Sequence, residues 1–369
     1  MIDSKGDLSS AERMSARIVE LNHEDMINAF KWAHDLLFYS KDSLDKRWPI
    51  IALRSPKGYS APDTDIVHIQ GSSDSHKNPL SKLTRNEQIA YLQKWLESYK
   101  PEELFSENGE LKDRIKDILP REELKLGNIL DYYERMPLIV PEEKRFNYSS
   151  GNGQIQCKNI LGIKESLSDL IRLNKDRLII VSPDELKSNL LGELRDLVKD
   201  SSSNCIWEVL NENICQSWMQ GYISTGRNAL MIGYEAFMPV ISSMVSQYAK
   251  WIYQASLINW RKKMGSLNYV LTSVWEANTF SHQNPAFIDL LISMQYEFVR
   301  IYMPIDANTA YVSLQKCLLS ENRINSIVCT KQMMPQYLNM NDAVDAVQNG
   351  IVEWYNILEE IGDLLKDKI

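Results

Sequence analysis

The stretch NCIWEVLNENICQSWMQGYISTGRNALMIGYEAFMPVISSMVSQYAKW, residues 204–251, decides the fold class. An apolar run over 205–210 ends just before a lone carboxylate, Glu212. A segment of helical period follows, then the turn Thr225-Gly226-Arg227 and a second apolar run over 229–233. That run ends in Tyr234-Glu235-Ala236-Phe237, and from Met238 to Trp251 the apolar spacing is helical again. Strand, helix, strand, helix is the repeating unit of a parallel sheet. Glu212, Tyr234 and Phe237 each follow the carboxyl end of an expected strand, the edge at which open α/β sheets bind ligands.

The same alternation extends outward from this stretch. Strands are expected over 178–181, 205–210, 229–233, 267–271, 297–301 and 324–328, with helices between them, clearest over 285–294 and 308–319. The fold class is therefore α/β, with a parallel six-stranded sheet covered by helices on both faces. An amphipathic helix is expected over 343–365. Upstream the pattern is less regular and reads as a smaller N-terminal α/β remnant. Residues 1–15 are polar and read as frayed, 23–38 have one apolar helical face, and 48–53 form a short strand signal. Thr84-Arg85-Asn86-Glu87 is a capping box ahead of a helix running to about Tyr99. Residues 122–176 mix polar turns with few apolar positions and read as a linker.

Composition bounds the function. Of 369 residues 44% are hydrophobic, an ordinary globular fraction, and the net charge of −8 argues against a nucleic-acid binder. No apolar run reaches the length of a membrane span and no signal peptide opens the chain, so no membrane association and a cytoplasmic location are expected. The five cysteines lack CxxC spacing and read as buried free thiols. No GxGxxG, Walker, HExxH or GxSxG pattern occurs.

The segments SPKGY (55–59), SHKNPL (75–80), WLESYKPEELFSENGEL (95–111), SPDELKSNLL (182–191), residues 204–251, SLNYVLTS (266–273), FSHQNPAF (280–287), MPIDANT (303–309) and TKQMMPQYL (330–338) resemble, in order, the phosphoketolase family. That family is transketolase-like. The resemblance implies thiamine diphosphate and Mg²⁺ as cofactors and, as chemistry, cleavage of xylulose 5-phosphate or fructose 6-phosphate by phosphate to acetyl phosphate and an aldose phosphate. It covers only part of such an enzyme: the end of a diphosphate-binding domain (1–121), a linker (122–176) and a pyrimidine-binding domain (177–369). The Mg²⁺ and diphosphate ligands are then expected from a partner chain in a hetero-oligomer, with no metal ligand here. A large apolar face awaiting that partner is expected to make the isolated chain oligomeric or poorly soluble.

Residue by residue, Glu212 matches the glutamate that binds N1′ of the cofactor's aminopyrimidine. A carboxylate there shares a proton with the ring, and a raised pKa would suit the task. Read without the motif, it is an exposed loop glutamate. Tyr234 and Phe237 match the aromatic walls beside that ring, and their plain reading is two core aromatics at a strand end. Lys57, His76 and His282 match substrate-contacting positions, where imidazoles suit proton shuttling near neutral pH. Ser188 and Asn278 match further substrate-binding positions, and Arg227 reads as a turn anchor.

Departures from the family pattern concentrate on the substrate phosphate. An arginine expected in the SPDE segment is Leu190, and a second, expected after Lys250-Trp251, is replaced within Ser256-Leu257. The loop between Trp275 and Phe280 is short, with Asn278 keeping one polar role. Losing two guanidiniums removes bidentate phosphate contacts. Three readings stand: a subunit of a split thiamine diphosphate-dependent enzyme that cleaves a ketose or ketose phosphate and transfers a two-carbon unit, a non-catalytic phosphoketolase-like partner or regulatory subunit, and a stand-alone α/β binding module.

Overall fold

The computed structural model describes residues 14–20, 22–39, 48–76, 78–125, 128, 135–141, 153–184, 186–199, 205–272 and 284–350. The chain divides into two compact units, Met1–Leu119 and Pro120–Ile369.

In the first unit β1 (Met14–Glu20) pairs in parallel with β2 (Trp48–Arg54), and α1 (His23–Phe38) connects them in sequence. Nothing in the sequence pattern marks β1, because Ile18 is 77% exposed while Val19 beside it is buried. The Asn22 side chain caps α1 by accepting the Asp25 N–H at 2.9 Å. Helix α2 (Arg85–Ser98) starts at the expected capping box, where the Thr84 N–H donates to Glu87 at 2.8 Å. Two short helices follow, α3 (Pro101–Leu104) and α4 (Asp113–Lys116). A small core gathers Ala61, Val67, Ile69, Leu80 and Tyr91.

The second unit opens with β3 (Gln156–Lys158), α5 (Asn159–Leu173), β4 (Leu178–Ser182) and β5 (Ile206–Glu208). It continues with α6 (Glu212–Ser224), β6 (Asn228–Gly233), α7 (Ser242–Ser256), β7 (Leu267–Leu271) and α8 (Ala286–Ser293). The last described elements are β8 (Val299–Tyr302), α9 (Ala307–Leu319), β9 (Ile324–Val328), β10 (Met333–Pro335) and α10 (Met340–Asn349). Strands β4 to β9 form one six-stranded sheet in the order β5-β4-β6-β7-β9-β8, and every neighbouring pair is parallel. The period-2 alternation of buried strands sorts their side chains into two cores. Leu178, Ile180, Leu230 and Ile232 meet Ile163 and Leu167 of α5 and Leu314 of α9 on one face. Met231, Tyr269, Leu271 and Val328 meet Met219 of α6, Val245 of α7 and Phe287 of α8 on the other. Helices therefore cover both faces, as the alternation predicts.

Two expectations are corrected. Within 122–176, read as a linker, α5 is a core helix whose Ile160, Ile163, Leu167, Leu170 and Ile171 are fully buried. Their i, i+3, i+7 spacing gives α5 an apolar face for the sheet. The helix expected over 343–365 begins at Met340 and stops at Asn349, because Gly350 takes a left-handed φ of 78° and caps it. Residues 351–369 lie outside the described residues.

Candidate active site

Sheet order decides where a site forms. From β4 the chain steps outward to β5, then crosses back past β4 to β6, so successive connections leave in opposite directions between β4 and β6. A crevice opens at such a switch point, outside the carboxyl ends of the strands. The loop after β4 and the segment after β6 meet there. The Tyr234 N–H donates to Asp184 Oδ2 at 3.1 Å, and Tyr234 Oη donates to the Ser188 carbonyl at 3.5 Å. Gly233 permits this approach: a Cβ there would lie 2.7 Å from Met238 Cε and 3.1 Å from Asp184 Oδ2. The Tyr234 and Phe237 rings stand edge to face, 6.2 Å apart at 78°. Both are half-buried, so each keeps surface for a ligand.

Glu212 is the first residue of α6, directly after the N-cap Asn211, whose side chain accepts the Ile214 N–H at 2.9 Å. It too is half-buried. Burial first, then the Glu212 and Asp184 carboxylates, push the Cys215 thiol up to about 12. Both acids therefore sit close to one buried sulfur, and Asp184 in turn holds Tyr234. Glu212, Asp184, Tyr234 and Phe237 thus gather at one end of the sheet.

A cation completes the group. Lys331, just after β9, lies with Nζ 4.4 Å from the Tyr234 ring centroid. It donates to the Ser188 carbonyl and to Tyr234 Oη, each at 3.3 Å. The sequence reading gave Lys331 and Asp184 no role. The available signal was a charged residue just beyond the carboxyl end of a buried strand.

The remaining sequence-predicted residues divide. Ser188 takes part through its carbonyl. Arg227 anchors its turn, with Nε donating to the Asp176 carbonyl at 3.2 Å. Lys57 and His76 belong to the first unit, where Lys57 Nζ and His76 Nδ1 are 2.9 Å apart and both residues are exposed. An ammonium only donates, so Nδ1 is the acceptor in this bond. The Gly71 N–H donates to the Lys57 carbonyl at 2.7 Å and ties the two loops together. His282 and Asn278 lie outside the described residues. Leu190, where the arginine was expected, has φ 60° and is 38% exposed. Its neighbour Asn189 is buried and accepts from Thr272 Oγ1 at 2.5 Å, so the loop is held while position 190 presents an apolar side chain.

Glu235, between the two aromatics, is 2% exposed. Burial, with the Asp289 carboxylate nearby, pushes its carboxyl up to about 7. The folded chain then holds a proton that the unfolded chain has lost between about pH 4.5 and 7. A raised folded pKa contributes stability below the unfolded value, and that stability is lost as pH rises through the folded one. Thermal melts from pH 5 to 8 are expected to show this decline. Glu235→Gln should flatten it, a difference on the order of 2 kcal/mol by pH 8. Parallel pH profiles for variant and parent would remove Glu235 as its source.

A carboxylate, an aromatic pair and an ammonium around one crevice suit a flat heteroaromatic ring bearing a basic nitrogen, with an anionic group near Lys331. Gly233 leaves room there that a Cβ would close.

Comparison with known proteins places the chain in a family. A family model described as D-xylulose 5-phosphate/D-fructose 6-phosphate phosphoketolase matches residues 162–320, and the model of that family's N-terminal domain matches residues 1–136. A probable phosphoketolase of Rhodopirellula baltica is 35% identical over 339 residues, spanning 85% of this chain and 42% of that protein. One of Nitrosomonas europaea is 37% identical over 332 residues, spanning 84% and 42%. The chain thus spans about two-fifths of the length of the curated relatives it matches. Among solved structures, a transketolase mutant of Pichia stipitis shares the fold at a TM-score of 0.53 and 16% identity, covering 89% of this chain and 49% of that one. Two family models in chain order, and relatives above 30% identity, lead to one conclusion: the chain belongs to the phosphoketolase family.

Proposed function

We propose that this chain is the pyrimidine-binding part of a thiamine diphosphate-dependent enzyme that cleaves a ketose or ketose phosphate and passes on a two-carbon unit. The observation that carries this is the grouping of Glu212 with Tyr234 and Phe237 at the switch point of a sheet belonging to this family. Bound there, thiamine diphosphate supplies the electron sink that cleavage beside a carbonyl requires. Glu212 holds a proton at the aminopyrimidine ring nitrogen. Tyr234 and Phe237 flank the ring and exclude water, and Lys331 holds the anionic end of the donor. We assign proton transfer at a sugar hydroxyl to His76 and His282, and substrate binding to Lys57, Ser188 and Asn278.

We assign the diphosphate and Mg²⁺ to residues of a partner chain in a cytoplasmic assembly. Exposed apolar side chains around α6 support a covered surface. Leu210 is 91% exposed, and the exposed indoles of Trp207 and Trp218 stand edge to face at 5.8 Å. The five buried, unpaired cysteines accord with a reducing compartment. Among the described residues no helix is long and apolar enough to cross a membrane.

The test is a calorimetric titration of thiamine diphosphate with Mg²⁺ into this chain, alone and co-expressed with a chain resembling a diphosphate-binding domain. Binding in the mixture alone is expected. No binding in either sample would favour the second reading, a non-catalytic partner subunit, which the apolar Leu190 in the phosphate loop supports. Lys331→Met tests the donor assignment: KM for a ketose phosphate is expected to rise about tenfold, with an unphosphorylated ketose little affected. Equal losses on both donors would assign Lys331 to holding Tyr234.

A further inference from the structure

At the opposite edge of the sheet from β5, beside β8, lies a cavity of about 600 Å³. Its wall is built by β8 and the residues after it, by α9 and by the end of α10. Arg300, Lys316 and Arg323 line it, and none of the described lining residues is acidic. The Arg323 guanidinium makes no hydrogen bond or ion pair among the described residues. Among the described residues Arg300 uses only Nη1, on the carbonyls of Glu297 and Val299, and not Nη2. Lys316 is tied to the Val347 and Gln348 carbonyls at the end of α10, so it adds a fixed charge rather than a mobile donor.

The two arginines stand on neighbouring strands: Arg300 of β8 is registered with Asn325, and Arg323 comes two residues before it, just ahead of β9, so the period-2 alternation puts both on one face. Ser313 lines the cavity at 2% exposure and brings a hydroxyl to its wall. The rest of the wall includes Ile301, Met303, Leu338 and Val347, an apolar surface for an organic body.

Three like charges on one wall repel unless an anion joins them, and guanidinium forks match phosphate oxygens. The volume falls in the range of small-molecule sites. We propose that this cavity binds an organic phosphate, with Arg300 and Arg323 on the phosphate oxygens and the Ser313 hydroxyl donating to them. It is separate from the crevice at Glu212, and the proposal does not depend on the function assigned there.

The experiment is calorimetric titration of the full chain with ATP and with glycerol 3-phosphate at matched ionic strength. Saturable binding of at least one compound is expected. Arg323→Gln and Arg300→Gln should each weaken it about tenfold, while Lys331→Met leaves it unchanged. Circular dichroism and melting temperature control for folding, since neither arginine belongs to an apolar core. Absence of saturable binding by either compound would overturn the proposal. So would binding that responds to Lys331→Met and not to the arginine variants, or binding lost equally by parent and variants on adding chloride.

Discussion

Under the proposed function, replacing Glu212 by glutamine is expected to lower ketose cleavage between about 10²- and 10⁴-fold, the usual range for a lost proton-transfer group. The substitution keeps shape and hydrogen-bonding reach but removes the ability to take up and return a proton. Glu212 opens α6, where its negative charge meets the helix N-terminus. Losing that charge costs roughly 0.3–1 kcal/mol, too little to unfold the unit. The Asn211 cap, which carries the local geometry, is untouched. Thiamine diphosphate affinity, read by calorimetry, should fall much less than turnover, because the Tyr234 and Phe237 walls stay in place. A variant that keeps full turnover would remove Glu212 from proton transfer. One that loses its melting transition would make it a structural residue. With both outcomes open, the site and the fold are tested separately.

What was legible in the sequence follows from which forces act locally. All six sheet strands were readable because each is a short, largely apolar run between polar turns, and the four inner ones, β4, β6, β7 and β9, are buried on both faces. Glu212, Tyr234 and Phe237 were readable because strand ends place them, and the family pattern gave them roles. Lys331 and Asp184 were not, although both lie in segments that carry the resemblance. Their meeting at Tyr234 joins residues 97 and 50 positions from it in sequence. That meeting depends on β6 and β4 being neighbours, an order that chain sequence does not reveal. Helix α5 was missed for a different reason. Its apolar face is regular, but the polar Ser149-Ser150-Gly151-Asn152-Gly153 ahead of it read as linker, and Gly162 near its start weakens the local helical signal. A glycine inside a helix lowers its propensity by about 1 kcal/mol, so the local signal argued against the element that tertiary packing requires.

That same glycine carries the largest stability effect expected in the chain. A Cβ at Gly162 would lie 2.0 Å from the Ala307 carbonyl oxygen, 2.9 Å from its carbon and 3.1 Å from the Tyr311 nitrogen. All three are backbone atoms in the first turns of α9, so no side chain can swing aside. Gly162→Ala must push α5 and α9 apart by about an ångström to restore ordinary contact. The N-terminus of α9 is not free to follow. Asp306 caps it by accepting the Thr309 N–H at 2.8 Å, and also accepts from Leu338 at 2.8 Å. The Gln336 side chain accepts the Ala307 N–H at 2.8 Å. Overpacking of a core costs about 1–3 kcal/mol, and backbone against backbone lies at the upper end. The better helix propensity of alanine offsets about 1 kcal/mol of this. A net loss on the order of 2 kcal/mol or more is expected, read as a lower unfolding midpoint and faster labelling of the buried Cys317 thiol on α9. The same substitution at Gly221 on α6, where nothing lies within 4 Å, supplies the contrast. Gly221→Ala should stabilise by up to about 1 kcal/mol from propensity alone. Opposite signs from one chemical change would locate the effect in the α5–α9 crossing. Equal stabilisation at both positions would mean that the two helices do not approach so closely in solution.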